Sequence, residues 1–247
     1  MSQRHFLPET PSTNSYLQML LDTNAATTGD AVYTFNQTQG RGQKGNQWIS
    51  QPGKNVLLSI AIQPEFLPAR NQFLLSELAA LAVKKVLDEY VDNVCIKWPN
   101  DIYIKDKKVA GILIENRLKD AKIEYSIVGI GVNINQTEFP ADLPNPISLH
   151  QILETETNPE LFAEKLHDSL CKNLLNIDTE KNDEVRRYYL NSLYRRDGFH
   201  PYRDANGDFM AKILDVNASG HLMLEMEDGK VMVYDLKEVT FLAEVPC

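Results

Sequence analysis

Three glycines and two cations share the run Gly40-Arg41-Gly42-Gln43-Lys44-Gly45, in a chain that is otherwise acidic. Glycine lets backbone N–H groups turn toward a ligand and approach it with no Cβ in the way, while Arg41 and Lys44 can neutralise phosphate or carboxylate charge. The run reads as a loop that wraps an anion, although an ordinary surface turn has a similar composition. Two more cations stand in polar strings further along: Lys97 in Lys97-Trp98-Pro99-Asn100-Asp101, and Lys108 in Lys108-Val109-Ala110-Gly111-Ile112. Lys108 taken alone resembles a solvated turn lysine, like its neighbours Lys105 and Lys107. Pro99 holds Trp98 extended and so fixes how Asn100 and Asp101 are presented, yet Asn-Asp is also a common turn between strands.

The elements that must position these groups can be read from periodicity. A helix over Asn14–Asp22 has Ser12 or Thr13 as its N-cap and an apolar stripe at Tyr16, Leu17, Leu20 and Leu21. Strand signals at Ala31–Asn36 and Val56–Ile62 bracket the glycine loop and place it at one edge of a sheet. A long amphipathic helix from about Ala69 to Tyr90 packs under that sheet. Val94–Lys97, Asp101–Ile104, Val109–Arg117 and Ile123–Asn133 are rich in β-branched residues and separated by turn residues, which predicts an antiparallel meander. Helices follow from Pro159, capped by Thr157 or Asn158, and over Asp183–Leu193. Short strands at Ala211–Val216, His221–Met226 and Lys230–Tyr234 then predict a small all-β unit after a hinge at Tyr194–Gly198. The fold class is α+β: a mixed or antiparallel sheet with helices on one side, then a small barrel.

Composition limits the function classes. The 247 residues are 43% hydrophobic and 24% charged, an ordinary globular profile for one large domain and a small one. The formal charge of −9 with no long basic run argues against a nucleic-acid binder, so DNA is not expected as a partner. Cys95, Cys171 and Cys247 form no CxxC pair and leave one over, which argues against a zinc site or a disulfide framework and for a reducing cytoplasm. No stretch is apolar enough for a membrane span or a secretory signal core, so no membrane partner is expected.

Taken in order, Ser12-Thr13-Asn14, the glycine loop with Gln37 before it and Trp48 after it, Lys97–Asp101, Lys108–Glu115 and Gly129-Ile130-Gly131-Val132-Asn133 resemble the biotin protein ligase family. The likeness is close over residues 10 to 135 and loose beyond. It implies a catalytic domain over residues 1–194, related to lipoate ligases and class II synthetases, and an SH3-like β-barrel over 195–247. It also implies the reaction: biotin is activated with ATP as biotinyl-5′-AMP, and the biotinyl group then passes to a lysine of a biotin carboxyl carrier domain. A carboxylate is resonance-stabilised and repels nucleophiles, so adenylation supplies the leaving group. Negative charge crowds in that transition state, and fixed cations and backbone donors must meet it.

By that resemblance Arg41, Lys97 and Lys108 handle the charge, with Lys108 between the carboxylate and the α-phosphate, and Asn100 and Asp101 hydrogen-bond the adenylate or orient the incoming amine. Ser12, Thr13, Asn14 and Gln37 reach the polar ring of biotin, although helix capping alone explains a serine or threonine there. Gly40, Gly42, Gln43 and Lys44 close over the intermediate, and Gly111, Ile112, Gly129 and Gly131 allow close backbone approach, a role that β-bulges would equally fill. Asn133 and Trp48 contact the nucleotide, Trp48 by stacking on adenine, and Asn55 joins the ligand-binding set; simple core burial also accounts for Trp48. Magnesium accompanies ATP, and no protein-held metal is expected. Many family members have arginine where this chain has Gln43, so Lys44 or the loop backbone is expected to compensate. Only eleven residues precede Ser12, too few for the DNA-binding domain that some members carry. A lipoate ligase normally shows an Arg-Arg segment and a Ser-Gly-Gly-Gly type loop, neither of which occurs here. A catalytically silent biotin binder would be expected to lose the charges at Arg41, Lys97 and Lys108. An exposed sheet edge could pair two copies into a homodimer.

Overall fold

Asn55–Ile62 (β3) is buried at every residue, a pattern that needs cover on both faces of a sheet. The computed structural model, which describes residues 2–64, 67–120, 122–177 and 182–243 and Lys44 through its backbone alone, puts this strand near the middle of seven. The others are β1 (Arg4–Phe6), β2 (Ala31–Thr34), β4 (Val94–Lys97), β5 (Asp101–Ile104), β6 (Lys107–Lys119) and β7 (Lys122–Asn133), in the order β1-β2-β3-β7-β6-β5-β4. β1 pairs parallel to β2 and every other neighbour is antiparallel, so the sheet is mixed and β4 to β7 form the expected meander.

The period of two sorts the side chains. Val56, Leu58, Ile60 and Ile62 of β3 and Val128, Ile130 and Val132 of β7 enter one large core. α2 (Phe73–Leu87) and α4 (Pro159–Leu174) close that core, and α5 (Asn182–Asn191) adds the fully buried Tyr189. Asn158 caps α4 by accepting from the N–H groups of Glu160 and Leu161. The expectation of helices on one side holds for these three. α1 (Thr13–Asp22) packs on the other face, where Leu17 and Leu21 meet Val32, Ala61, Tyr125 and Ile127. α3 (Leu149–Leu153), not expected from the sequence, starts with a Ser148–Gln151 capping box.

β8 (His200–Asp204), β9 (Gly207–Val216), β10 (Leu222–Met226), β11 (Val231–Tyr234) and β12 (Thr240–Phe241) form a second, antiparallel sheet in the order β11-β10-β9-β8-β12. The linker between the sheets is anchored where it leaves α5. Ile96 of β4 donates to Ser192 O and accepts from Tyr194 N, each at 2.8 Å, and the Tyr194 hydroxyl donates to Asp106 at 2.7 Å. Trp98 Nε1 donates to Gly220 O at 2.8 Å, and Arg186 grips Asp215 with two bonds, so the small sheet is fastened to the large one.

Candidate active site

On the sheet face away from α2 and α4, three rows of residues run across β3, β7 and β6. Leu57, Gly131 and Gly111 form one row, Ser59, Gly129 and Leu113 the next, and Ala61, Ile127 and Glu115 the third. α1 covers the strand ends nearest the third row, and the segment after the glycine loop folds back over the first. A Cβ on Gly131 would lie 2.4 Å from the Trp48 indole, and one on Gly129 would lie 2.1 Å from Asn14 Oδ1. These two positions are glycine because side chains from other elements occupy that space. The glycine loop therefore lies over the middle of the sheet face, not at the edge expected for it. Its ends are held by the Arg41–Gln47 bridge, by Trp48 N to Gly40 O at 3.0 Å and by Gly42 N to Asn46 O at 2.7 Å.

Beneath the loop is a cavity of about 400 Å³. Its walls bring together Ser12, Thr13, Asn14, Gln37, Arg41, Gly42, Gln43, Trp48, Lys97, Asn100, Asp101, Lys108, Gly111, Ile112, Gly129 and Gly131, strings separated by up to 119 positions along the chain. At the end nearest α1, Gln37 Oε1 accepts from Thr13 N at 2.9 Å, and the Ser59 hydroxyl donates to Asn14 Oδ1 at 2.5 Å while standing 2.7 Å from Thr13 Oγ1. Ser12 caps α1 by accepting from Ser15 N, so the helix and the polar end of the cavity share one triplet. Ser12–Asn14 thus both start the helix and line the cavity.

At the other end the cations are paired. Lys108 Nζ is 2.7 Å from Asp101 Oδ1 and 5.7 Å from the centre of a Trp48 ring. The register shift between Ile102 and Tyr103 lets β5 place Asp101 opposite Gly111 and Tyr103 opposite Lys108. Lys97 donates to the Tyr103 hydroxyl at 3.0 Å and lies over the rings of Tyr103 and Phe241, at 4.8 and 5.3 Å. Burial pushes its pKa down, opposed by the charge of Asp101. The same burial holds the Tyr103 phenol protonated. Arg41 makes a two-point pair with Glu115, at 2.9 and 2.7 Å.

Three expected contacts stand elsewhere, and a fourth is occupied at the wall. Asn55 is fully buried, accepting from Ile134 N at 3.0 Å and donating to Gln136 at 2.5 Å; it fixes the chain after β7 and does not reach the cavity. Asn133 donates to Ile147 O at 3.1 Å and is spent in the same way. Gly40 lines a groove on the outer side of the loop. Asn100, though at the wall, donates its amide to Ile112 O at 2.7 Å and locks its turn to β6. The Lys44 side chain lies outside the described residues. Trp48 rests on the glycine floor, its Nε1 buried without a partner, as is Gln43 Oε1; these are polar atoms that a ligand could satisfy.

Several residues of the site and its wall were not singled out in the sequence. Ser59, which bonds Asn14, and Glu115, which bonds Arg41, sit on strands where alternation marks them only as facing away from the core. Leu236, Lys237, Val239, Thr240 and Phe241 come from the second sheet, which therefore closes one side of the cavity. Among the described residues no group of three or more His, Cys, Asp or Glu side chains could hold a metal ion.

The model of the biotin/lipoate A/B protein ligase family matches residues 6–133, more than half of the chain. The bifunctional ligase/repressor BirA of Bacillus subtilis is 31% identical over 220 residues, covering 87% of this chain and 67% of that protein. The biotin--[acetyl-CoA-carboxylase] ligase of Mycobacterium tuberculosis is 25% identical over 248 residues, 97% of this chain and 89% of that one. In fold, the chain resembles the biotin protein ligase of Aquifex aeolicus solved with biotin and ATP, with a TM-score of 0.79 at 24% identity over 99% of this chain and 100% of the other. The glycine loop, the paired lysines and the polar triplet all fall within the matched segment, and the chain belongs to the biotin/lipoate A/B protein ligase family.

Proposed function

We propose that this protein is an ATP-dependent biotin ligase, which forms biotinyl-5′-AMP and transfers the biotinyl group to a lysine of a biotin carboxyl carrier domain, releasing pyrophosphate and then AMP. The observation that carries this reading is one cavity with a polar end at Ser12–Asn14 and Gln37 and a cationic end at Lys97 and Lys108, with Arg41 held by Glu115 on the Asn14 side. A ureido ring offers two donors and one strong acceptor. A site built to pair all three rejects a ring that would leave its own polar groups unpaired. The volume of about 400 Å³ lies within the range of sites for small ligands.

In the first step the biotin carboxylate attacks the α-phosphorus and pyrophosphate departs. Lys108 is freed from Asp101 as phosphate oxygens take its ammonium, so a cation already held at the site meets the developing charge. Asp101, left unpaired, then faces the region where the carrier lysine must lose a proton before it attacks the mixed anhydride. The closed loop keeps water from that anhydride. Magnesium travels with the nucleotide, since the protein offers no cluster of ligands among its described residues and Mg²⁺ binds readily through phosphate oxygens.

We divide the chain into a catalytic domain over 1–194 and a β domain over 195–247 that completes the wall of the nucleotide end. A net charge of −9 disfavours DNA as a partner, and three unpaired-type cysteines suit the cytoplasm. No helix among the described residues is long and apolar enough to cross a membrane. β1, at the end of the sheet order, is the edge on which two copies would pair.

Intact-mass analysis of an unmodified carrier domain incubated with the protein, Mg-ATP and equal biotin and lipoate tests this reading. A biotin-sized adduct is expected, with Lys108→Ala lowering the rate about 10²- to 10³-fold. A lipoate-sized adduct would move the assignment to the sister activity, and the absence of both adduct and biotin-dependent ATP turnover would leave a silent binder.

A further inference from the structure

Arg41 and Lys108 each stand against a carboxylate, Glu115 and Asp101, both at 2.7 Å. Lys97 lines the same cavity and makes no ion pair among the described residues. Its ammonium is held by aromatic groups instead. The Tyr103 hydroxyl accepts from it at 3.0 Å, and the centre of the Phe241 ring is 5.3 Å away, within the range at which a ring face attracts a cation. Tyr103 belongs to β5, the neighbour of the strand that carries Lys97, but Phe241 arrives from β12 of the second sheet. Its ring is fixed there. Tyr202, fully buried, packs edge-on against it at 4.9 Å, Tyr194 stacks on it at 6.3 Å, and Leu242 N donates to Pro201 O at 3.1 Å beside it.

The charged groups around Lys97 oppose one another. Burial disfavours its ammonium, Asp101 of β5 favours it, Lys108 of β6 and Arg195 of the linker disfavour it, and Lys237 of the second sheet lines the same wall. A carboxylate in the place of Phe241 would hold the ammonium strongly, and any anion entering the cavity would have to displace it. A ring face attracts the cation and leaves its remaining N–H donors open. We propose that Phe241 is a positioning residue: its ring keeps Lys97 charged without a counter-carboxylate, so that docking of the second sheet supplies this end of the cavity with a cation ready for an entering anion. The identity of that anion rests on the adenylation reading; the action of Phe241 on Lys97 does not.

Competitive acetylation of the ligand-free protein across pH, with Lys97 followed by peptide mass mapping against the exposed Lys119, reads the titration of Lys97 without any turnover. In Phe241→Leu, which keeps the cover and removes the ring face, that titration is expected to move to lower pH, with acetylation at neutral pH about threefold faster. Phe241→Met repeats the test if the leucine variant does not fold, and Phe241→Tyr, which restores a ring, should titrate as wild type does. A side chain that only filled space would, once removed, let water reach the ammonium and move the titration to higher pH. Biotin-dependent exchange of pyrophosphate into ATP should then lose activity at lower pH in Phe241→Leu than in wild type, because a deprotonated Lys97 carries no charge. An unchanged or raised titration of Lys97 would overturn the proposal, as would an alkaline limb of exchange that stays in place while the titration moves. If neither protein exchanges pyrophosphate, the adenylation reading fails, and the acetylation titration still decides the role of Phe241.

Discussion

The two faces of the large sheet are built from the same strands, residue by residue, yet obey different rules. On the face under α2 and α4, alternate positions are Val, Leu and Ile, and their side chains fill one continuous core. On the opposite face Ser59, Gly129, Gly131, Gly111 and Glu115 stand among Leu57, Leu113, Ala61 and Ile127, and the glycines leave space where bulk would be expected. The difference teaches that stability and chemistry are separated by the strand period: one face holds the fold, and the other supplies a floor on which Trp48 and Asn14 rest. Helix α1 belongs to both worlds, since Leu17 and Leu21 pack while Thr13 and Asn14 line the cavity.

If the separation is real, substitutions on the two faces should fail in different ways. Ile60→Ala, on the helix-covered face, is expected to lower stability by about 3–4 kcal/mol while leaving the KM values of the folded protein unchanged. Urea unfolding and steady-state kinetics on one preparation would check this; a raised KM for biotin would blur the two faces. Gly131→Ala, on the floor, should displace the Trp48 indole and reduce kcat/KM for adenylation about 10²-fold, with a melting midpoint within a few degrees of wild type. A large loss of melting temperature with normal turnover would reverse the assignment.

A smaller effect sharpens the comparison at the junction of the two sheets. Glu77 of α2 is 6% exposed, and burial, opposed by Arg186 and reinforced by Asp215, raises its pKa from 4.5 to about 7. The folded state therefore keeps a proton that the unfolded chain releases. Its contribution is fully present below about pH 4.5 and is lost as pH rises through about 7. Glu77→Gln should remove that loss, making the protein about 2 kcal/mol more stable than wild type at pH 8 and little different at pH 4.5. Chemical denaturation at the two pH values decides it, and a variant equally stable to wild type at pH 8 would mean that Glu77 is paired better than its burial implies.

The sequence by itself determined the parts whose information is local. The 3.6-residue stripe of α1, the Asn158-Pro159 start of α4 and the β-branched runs of β3 to β7 are legible because periodicity and capping act within a few residues. The polar strings were legible because glycine, cations and amides are unusual in that order. β1 was not, since three residues, Arg4 to Phe6, carry no period and become a strand only by pairing with β2. His200–Asp204 hid behind a proline and two charges for the same reason. Only the tertiary structure decided that Asn55 and Asn133 serve the backbone and not the cavity, because an amide's partners lie up to 81 positions away. It also decided that Phe241 covers Lys97 and that Glu115 holds Arg41. Those contacts depend on how strands line up across the sheet and on how the second sheet docks, and a side chain's own type does not encode which distant atom will face it.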